Sequence, residues 1–284
     1  MIKRGVIIKE KNHTLGPIAN ALRKTGVDIL DFSDTKLIKN YDYLIIFYNK
    51  LPPYFETKAK IGWWMNDLKI PEKLIQHKTK FDYIFLCNEE YFYEYIDFFK
   101  KPIVYMPQCG LNSDNTFCRP IEWEVLFIGN NSLKKYHNNR KEILDKIGEC
   151  YFLKIISGEK RTEDQNLLYK NTKFNLSISA PLQTVTSNRL YNILASGGFA
   201  LVSWFPGIDK LFINHQHLVW FKTPEEAIKW MNYYENNPKK YERIKRLGHQ
   251  LYLEKHTAQC RIQNMFDIME GKETKFRGWL SGTN

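Results

Sequence analysis

The residues best suited to bind an anion open a predicted helix in segment 186–202, TSNRLYNILASGGFALV. Thr186 or Ser187 can cap this helix, because a hydroxyl accepts a hydrogen bond from a free N–H group. Arg189 falls in the first turn, where partial positive charge and unpaired N–H groups attract phosphates. Ser187 and Arg189 are therefore candidate ligand-binding residues. The alternative is an ordinary helix–turn–strand unit without a ligand.

Two glycine turns add further candidates. Gly129 and Asn130 follow a predicted strand, and Arg140 lies in the next predicted helix. A glycine lets the backbone approach a phosphate closely, and an arginine offers a rigid fork of donors. Gly16 precedes Pro17, which is predicted to occupy the first position of a helix. The alternative for Arg140 is a surface helix residue, and a single glycine loop such as that at Gly16 is a weak signal.

Acid–base chemistry points to Asp67, which follows the predicted strand 60–66. An inverting group transfer needs a general base within hydrogen-bond reach of the attacking hydroxyl, and a carboxylate serves well. His13 is a rival candidate for this catalytic role. Trp63 and Trp64 could stack on an acceptor base, although a buried core position is the alternative for both. Asp67 could equally be a loop or cap residue.

Strands that alternate with helices position these residues and predict parallel, doubly wound sheets. The predicted strands lie at 4–8, 27–32, 41–48, 60–66, 81–87, 102–106, 124–128, 151–156, 174–178, 199–202 and 218–221. The predicted divisions are an N-terminal Rossmann-like domain (1–108), a linker (109–122), a second α/β domain (123–270) and a C-terminal segment (271–284).

The C-terminal half resembles the GT-B glycosyltransferases, especially the group that includes the spore maturation glycosyltransferases. The motif residues that carry this resemblance are Arg189, Asn192, Ala195, Gly197, Gly198, Pro206, Gly207, His256, Thr257 and Arg261. It implies a GT-B fold of two Rossmann-like domains facing a central cleft. In this fold residues 1–108 would form the acceptor-side domain and residues 123–270 the nucleotide-sugar-binding domain, with residues 271–284 packing back toward the N-terminal domain. It also implies that Arg189 and Arg140 hold a donor diphosphate. Asn192 stands where retaining relatives usually have a glutamate on the ribose, so it is the implied ribose ligand.

The resemblance also implies a sugar transfer from a nucleotide sugar to an acceptor hydroxyl, with a UDP-sugar as the leading donor. Two other functions are compatible with the same fold. One is a binding module for nucleotide sugars or nucleic acid that has no catalytic activity. The other is an epimerase, which would need more acid–base carboxylates than the sequence offers.

The charge of the chain favours a polyanionic partner. Its 284 residues carry 42 Lys and Arg against 31 Asp and Glu, a formal net charge of +11. A small donor anion does not require such a surplus, so duplex DNA with a hydroxymethylated base is the leading acceptor hypothesis. A cell-surface glycan, lipid or protein is the alternative acceptor, and a lysine-rich surface without a polyanionic partner would also account for the charge.

Several other classes find no support in the sequence. No Asp-x-Asp motif, phosphate-binding P-loop or nucleophile elbow occurs, so we expect metal-independent chemistry without a further cofactor. No apolar run approaches the roughly 20 residues of a transmembrane helix. We therefore expect a cytoplasmic protein without a transmembrane segment.

Overall fold

The computed structural model describes residues 2–8, 15–23, 25–31, 38–47, 57–65, 81–87, 92–110, 121–129, 138–157, 165–179 and 187–272. These residues form two compact units. The first comprises Met1–Gln108 with Thr257–Asn284, and the second comprises Cys109–His256. Each unit is an α/β layer structure built on one parallel sheet.

Among its described residues the first unit contains six strands: β1 (Arg4–Ile8), β2 (Asp28–Leu30), β3 (Tyr43–Phe47), β4 (Lys60–Met65), β5 (Tyr83–Leu86) and β6 (Ile103–Tyr105). Its helices are α1 (Leu15–Arg23), α2 (Phe92–Phe99), a short 3-10 turn (Ile38–Asn40) and the C-terminal helix described below. The strand order is β2-β1-β3-β4-β5-β6, and every pairing is parallel. The strands are apolar almost throughout, as expected for a sheet covered on both faces.

In the part of the second unit that the structure describes there are five strands: β7 (Trp123–Ile128), β8 (Leu153–Ile156), β9 (Thr172–Ser177), β10 (Ala200–Ser203) and β11 (Val219–Phe221). Its helices are α3 (Asn138–Cys150), α4 (Gln165–Lys170), α5 (Asn188–Ala195), α6 (Ile208–Leu211), α7 (Pro224–Glu235) and α8 (Pro238–Leu251), followed by a π-helical turn (Tyr252–His256). The parallel strand order is β11-β10-β9-β7-β8.

The core of the second unit lies on both faces of this sheet. Along β9, Phe174 and Leu176 face one apolar cluster with α3, α7 and α8. The opposite face is covered by α5 through Leu190, Ile193 and Leu194. The apolar stripe predicted for α5 is therefore buried, and it fixes this helix against the sheet.

The last helix, α9 (Ala258–Met269), groups with the first unit, whereas the predicted C-terminal domain extended to residue 270. Thr257 caps it by accepting a hydrogen bond from the N–H of Cys260 at 3.1 Å. Arg261 is fully buried and donates from Nε to the carbonyl of Pro107 at 3.2 Å. At the other end, Arg4 donates two hydrogen bonds to Glu270, at 2.7 and 2.9 Å. These contacts fasten α9 to the first sheet.

Candidate nucleotide-binding site

The N-terminus of α5 has the predicted geometry. Ser187 takes an extended conformation, with φ −73° and ψ 142°, and its Oγ accepts a hydrogen bond from the N–H of Arg189. Gly197 ends the helix in the left-handed region at φ 71°, a conformation that suits a residue without Cβ. The helix thus begins near the carboxyl end of β9, and its first N–H groups lie at that edge.

Two arginines converge at this edge. Arg189 donates from Nε to the carbonyl of Ile128 at 2.5 Å and from Nη1 to the carbonyl of Ile178 at 3.1 Å. Arg140 donates from Nη2 to the same Ile178 oxygen at 3.0 Å. Both guanidinium groups lie over the ring of Phe127, 4.4 Å from its centroid for Arg189 and 5.4 Å for Arg140. The two cations are therefore held together where β7 and β9 end.

Gly129 makes this arrangement possible. It directly follows β7, and its N–H donates to the carbonyl of Ile156 at 2.9 Å. A Cβ at this position would overlap Nη2 of Arg189 and lie 3.0 Å from Cζ of Phe127. Gly129 is needed here to leave room for a side chain rather than for its backbone freedom. The predicted proximity of Gly129, Arg140 and Arg189 is observed.

Both arginines are buried, and Arg140 remains charged. Arg140 is 6 % exposed and Arg189 is 8 % exposed. Burial lowers the pKa of Arg140 to about 10, so this side chain is still protonated at neutral pH. The alternative that Arg140 is a surface helix residue is therefore wrong. A buried cation at the carboxyl end of a parallel sheet is placed to attract an anion.

The position of the pair within the sheet also favours ligand binding. Strand β7 is the first of its unit and lies between β8 and β9, so the chain order reverses beside it. Open parallel sheets bind ligands outside their carboxyl ends at such a switch point. The arginine pair lies at this switch point.

Asn192 lies one turn after Arg189 on α5 and is only 5 % exposed. Its burial excludes the alternative that it faces solvent. The amide belongs to the same helix end as the arginine pair, and its role as a ribose ligand remains a prediction.

The other predicted site residues lie elsewhere or outside the described residues. Gly16 lies in the first turn of α1 in the first unit, because this helix begins at Leu15. Pro17 is thus the third helical residue rather than the first, where its missing N–H still costs no intrahelical bond. Asp67, His13 and Asn130 fall outside the described residues.

Trp63 and Trp64 are not available as an exposed stacking surface. They are 1 % and 0 % exposed. Trp63 stacks on Phe81 at 4.7 Å between ring centroids, and Trp64 stacks on Phe47 at 4.3 Å. Successive residues of a strand point to opposite faces, and both faces of this sheet are covered. The prediction that these two tryptophans contact an acceptor is therefore wrong.

Phe127 and the carbonyl of Ile178 are parts of the site that were not predicted from the sequence. Phe127 supports both guanidinium groups, and the Ile178 oxygen accepts from both. An aromatic residue two positions before Gly129, on the same strand, was the available signal for Phe127. A main-chain acceptor leaves no such signal in the sequence.

The second half of the chain is similar to a known protein family. A family model described as glycosyl transferase-like matches residues 132–267, which include both arginines and Asn192. The comparison with curated protein sequences gives no match.

Solved structures with the same fold cover nearly the whole chain. T4 phage β-glucosyltransferase with UDP-glucose has a TM-score of 0.63 at 11 % identity, over 94 % of this chain and 99 % of that one. An α-glucosyltransferase with UDP-glucose and abasic-site DNA has a TM-score of 0.69 at 11 % identity, over 95 % and 99 %. Anabaena HepE with UDP has a TM-score of 0.58 at 9 % identity, over 95 % and 100 %.

The chain therefore has the GT-B fold, and the predicted family resemblance and enzyme class are confirmed. Within the residues that the structure describes, no helix has the length and apolar character to cross a bilayer. The same residues contain no group of three or more side chains suited to hold a metal ion.

Proposed function

We propose that this glycosyltransferase binds a UDP-sugar at the carboxyl edge of the second sheet and transfers its sugar to a hydroxyl group on a DNA base. The observation that supports the donor site is the shared Ile178 carbonyl. Because Arg140 and Arg189 donate to one oxygen at 3.0 and 3.1 Å, the two donor nitrogens lie at most about 6 Å apart. At that separation two cations repel by roughly 3 kcal/mol at an effective dielectric constant of 20.

An anion near both groups would remove this penalty. The donor diphosphate carries the required charge, and the partial positive charge at the N-terminus of α5 would add to its attraction. We assign Arg140, Arg189, Gly129 and the Ser187-capped helix end to the diphosphate. Asn192 is our candidate for the ribose, as a neutral hydrogen-bonding partner.

In the reaction, the acceptor oxygen forms a bond to the anomeric carbon while the bond from that carbon to the diphosphate breaks. UDP leaves with the bonding electrons. In an inverting transfer we propose that Asp67 accepts the proton of the acceptor hydroxyl. In a retaining transfer an oxygen of the leaving diphosphate can take this proton, and Asp67 would then have no catalytic role.

A DNA acceptor is favoured by two observations. The net charge of +11 exceeds what a donor needs, and DNA phosphates would bind such a surface without sequence readout. Structures with the same fold include an enzyme described as DNA-modifying and an α-glucosyltransferase bound to DNA. A DNA acceptor would also place the reaction in the cytoplasm, as the sequence predicts.

An acceptor other than DNA is the alternative. Structures with this fold also include an α1,3-fucosyltransferase with GDP. Binding to duplex DNA across a salt series separates the two acceptors. If DNA is the acceptor, log affinity falls steeply with log salt, by several units of slope for several phosphate contacts. Absence of DNA binding at low salt, together with no sugar transfer to hydroxymethylated DNA, would exclude the DNA acceptor.

The donor site is tested by calorimetric binding of UDP to Arg140→Ala and Arg189→Ala. Each variant should lose about 1.5–3 kcal/mol of UDP affinity, the range for hydrogen bonds to a charged group. Arg243→Ala is the matched control, because Arg243 is an exposed arginine of the same unit. Unchanged UDP binding in both site variants would exclude the arginine pair as the diphosphate site.

We further propose that the transfer needs no metal ion, since the sequence has no Asp-x-Asp motif. A T4 phage β-glucosyltransferase structure contains UDP together with Mn²⁺, so the point requires a direct test. Turnover should be equal in EDTA and in added Mn²⁺. A loss of turnover in EDTA that Mn²⁺ restores would contradict metal independence.

A further inference from the structure

An exposed tryptophan and a lysine lie at the same edge of the second sheet as the arginine pair. Trp204 directly follows β10, and its side chain is 43 % exposed. Its N–H donates to the carbonyl of Phe221 at 2.8 Å, which fixes its backbone to the end of β11. Lys222 directly follows β11, and its Nζ lies 5.2 Å from the centroid of the indole ring. The edge thus presents an aromatic face with a fixed position.

The link from this tryptophan to the arginine pair is short. The N–H of Ser179 donates to Oγ of Ser203 at 3.2 Å. Ser179 follows Ile178, whose carbonyl holds both arginines, and Ser203 precedes Trp204. Strands β9 and β10 are neighbours in the sheet, so their ends are about 5 Å apart. One nucleotide could therefore contact both the arginine pair and the indole ring.

Lys222 adds charge to this surface. Its side chain is exposed, and among the described residues its ammonium group contacts the Trp204 ring and no carboxylate. A lysine over an indole face limits the motion of the ring through a cation–π contact. The lysine also places a positive charge beside any ligand that stacks on the Trp204 ring.

We infer that Trp204 stacks on the heteroaromatic base of the donor nucleotide while the arginine pair holds the diphosphate. This inference rests on the proposed donor site and deepens it. Stacking uses the π-face that every base has, so Trp204 would contribute affinity and little choice between uracil and other bases. Selection of the base must then come from hydrogen bonds elsewhere.

The test measures UDP affinity by titration calorimetry in Trp204→Ala and Trp204→Phe. Loss of a base–aromatic stack should weaken UDP binding roughly 5- to 150-fold in the alanine variant. The phenylalanine variant should recover most of this loss. Pyrophosphate has no base, so it should compete with UDP equally well in both proteins. Its affinities for the wild-type protein and for the alanine variant should agree within about twofold.

Phe152→Ala is the matched control, because Phe152 is 62 % exposed but precedes β8 at the opposite edge of the sheet. UDP affinity should not change in this variant. If the wild-type protein binds UDP and Trp204→Ala binds it equally well, the inference is wrong and the proposed donor site stands. Equal losses of UDP and pyrophosphate would also overturn it, since Trp204 would then support the site without stacking.

Two further results would overturn the inference. If Trp204→Ala loses affinity for DNA but not for UDP, the indole contacts the acceptor. If wild-type protein binds none of UDP, GDP and ADP, the proposed function fails and this inference fails with it.

Discussion

Gly129→Ala tests whether the arginine pair is held as the structure indicates. The added methyl group would overlap Nη2 of Arg189, and it would lie 3.1 Å from Cζ of the same side chain. The backbone of Gly129 lies outside the left-handed region that disfavours alanine. The added methyl group would therefore clash with neighbouring side chains and not strain the backbone. The loss of unfolding free energy in this variant depends on where the guanidinium group lies.

The magnitude follows from the contacts that must break. To admit the methyl group, Arg189 has to withdraw from the carbonyl oxygens of Ile128 and Ile178, which it contacts at 2.5 and 3.1 Å. Losing one hydrogen bond that involves a charged group costs about 1.5–3 kcal/mol. An overpacked site that keeps the bonds under strain costs about 1–3 kcal/mol. We therefore expect unfolding free energy to fall by about 1.5–3 kcal/mol, with a 10- to 150-fold loss of UDP affinity.

The assay is a double-mutant cycle measured by urea unfolding and UDP calorimetry. In an Arg189→Ala background the methyl group meets no guanidinium and keeps only its 3.0 Å approach to Cζ of Phe127. Gly129→Ala should therefore cost at least about 1 kcal/mol less there than in the wild-type protein. Gly148→Ala is the control, since its methyl group would approach only Leu153, at 3.8 Å, and a helix interior gains about 0.5–1 kcal/mol from alanine. Additive costs in the double variant, or an unaffected single variant, would refute the reasoning.

Three further predictions concern the first unit. Arg4 donates two hydrogen bonds to Glu270 and so lowers the pKa of this carboxyl, whose side chain is 3 % exposed. Its contribution to stability is present above the usual value of 4.5 and is lost as pH falls through the lowered pKa. Glu270→Gln should therefore cost about 1.5–3 kcal/mol at pH 7 and progressively less in acid, as read by urea unfolding at several pH values. Thr257→Ala removes the cap that accepts from Cys260 and should cost about 1 kcal/mol, which thermal unfolding would detect. Asp67→Asn should lower turnover by about 10²–10⁴ with UDP affinity retained if the transfer inverts, and near-normal turnover would remove Asp67 from the mechanism.

Most strands were predictable within one or two residues because their apolar runs are bounded by polar turns. The first strand matches its predicted range, and β4 and β7 differ from theirs by one residue. The placement of α9 was harder to predict. Its apolar stripe shows that it packs on a sheet but not on which one, and the contacts of Arg261 and Glu270 that decide the point are distant in sequence.

The candidate site was partly predictable for a similar reason. Helix-start and glycine-turn patterns identified Arg189, Gly129 and Arg140, because those patterns are local. The point at which the two arginines meet is a main-chain oxygen, and no side-chain pattern reveals it. The error over Trp63 and Trp64 was avoidable. Adjacent residues of a strand point to opposite faces, so a sheet covered on both sides must bury both.

The repulsion within the arginine pair lowers the stability of the protein and favours the binding of an anion. Bringing two buried cations to one carbonyl oxygen costs electrostatic free energy in the protein without a ligand, while their hydrogen bonds join the ends of β7 and β9. An anion at this edge would relieve the repulsion and leave those bonds intact. An anionic ligand bound by these two arginines should therefore stabilise the second unit more than a ligand that makes the same number of hydrogen bonds to uncharged donors. For the same reason, a loss of activity in an arginine variant is informative only when its folded fraction and its UDP affinity are measured together.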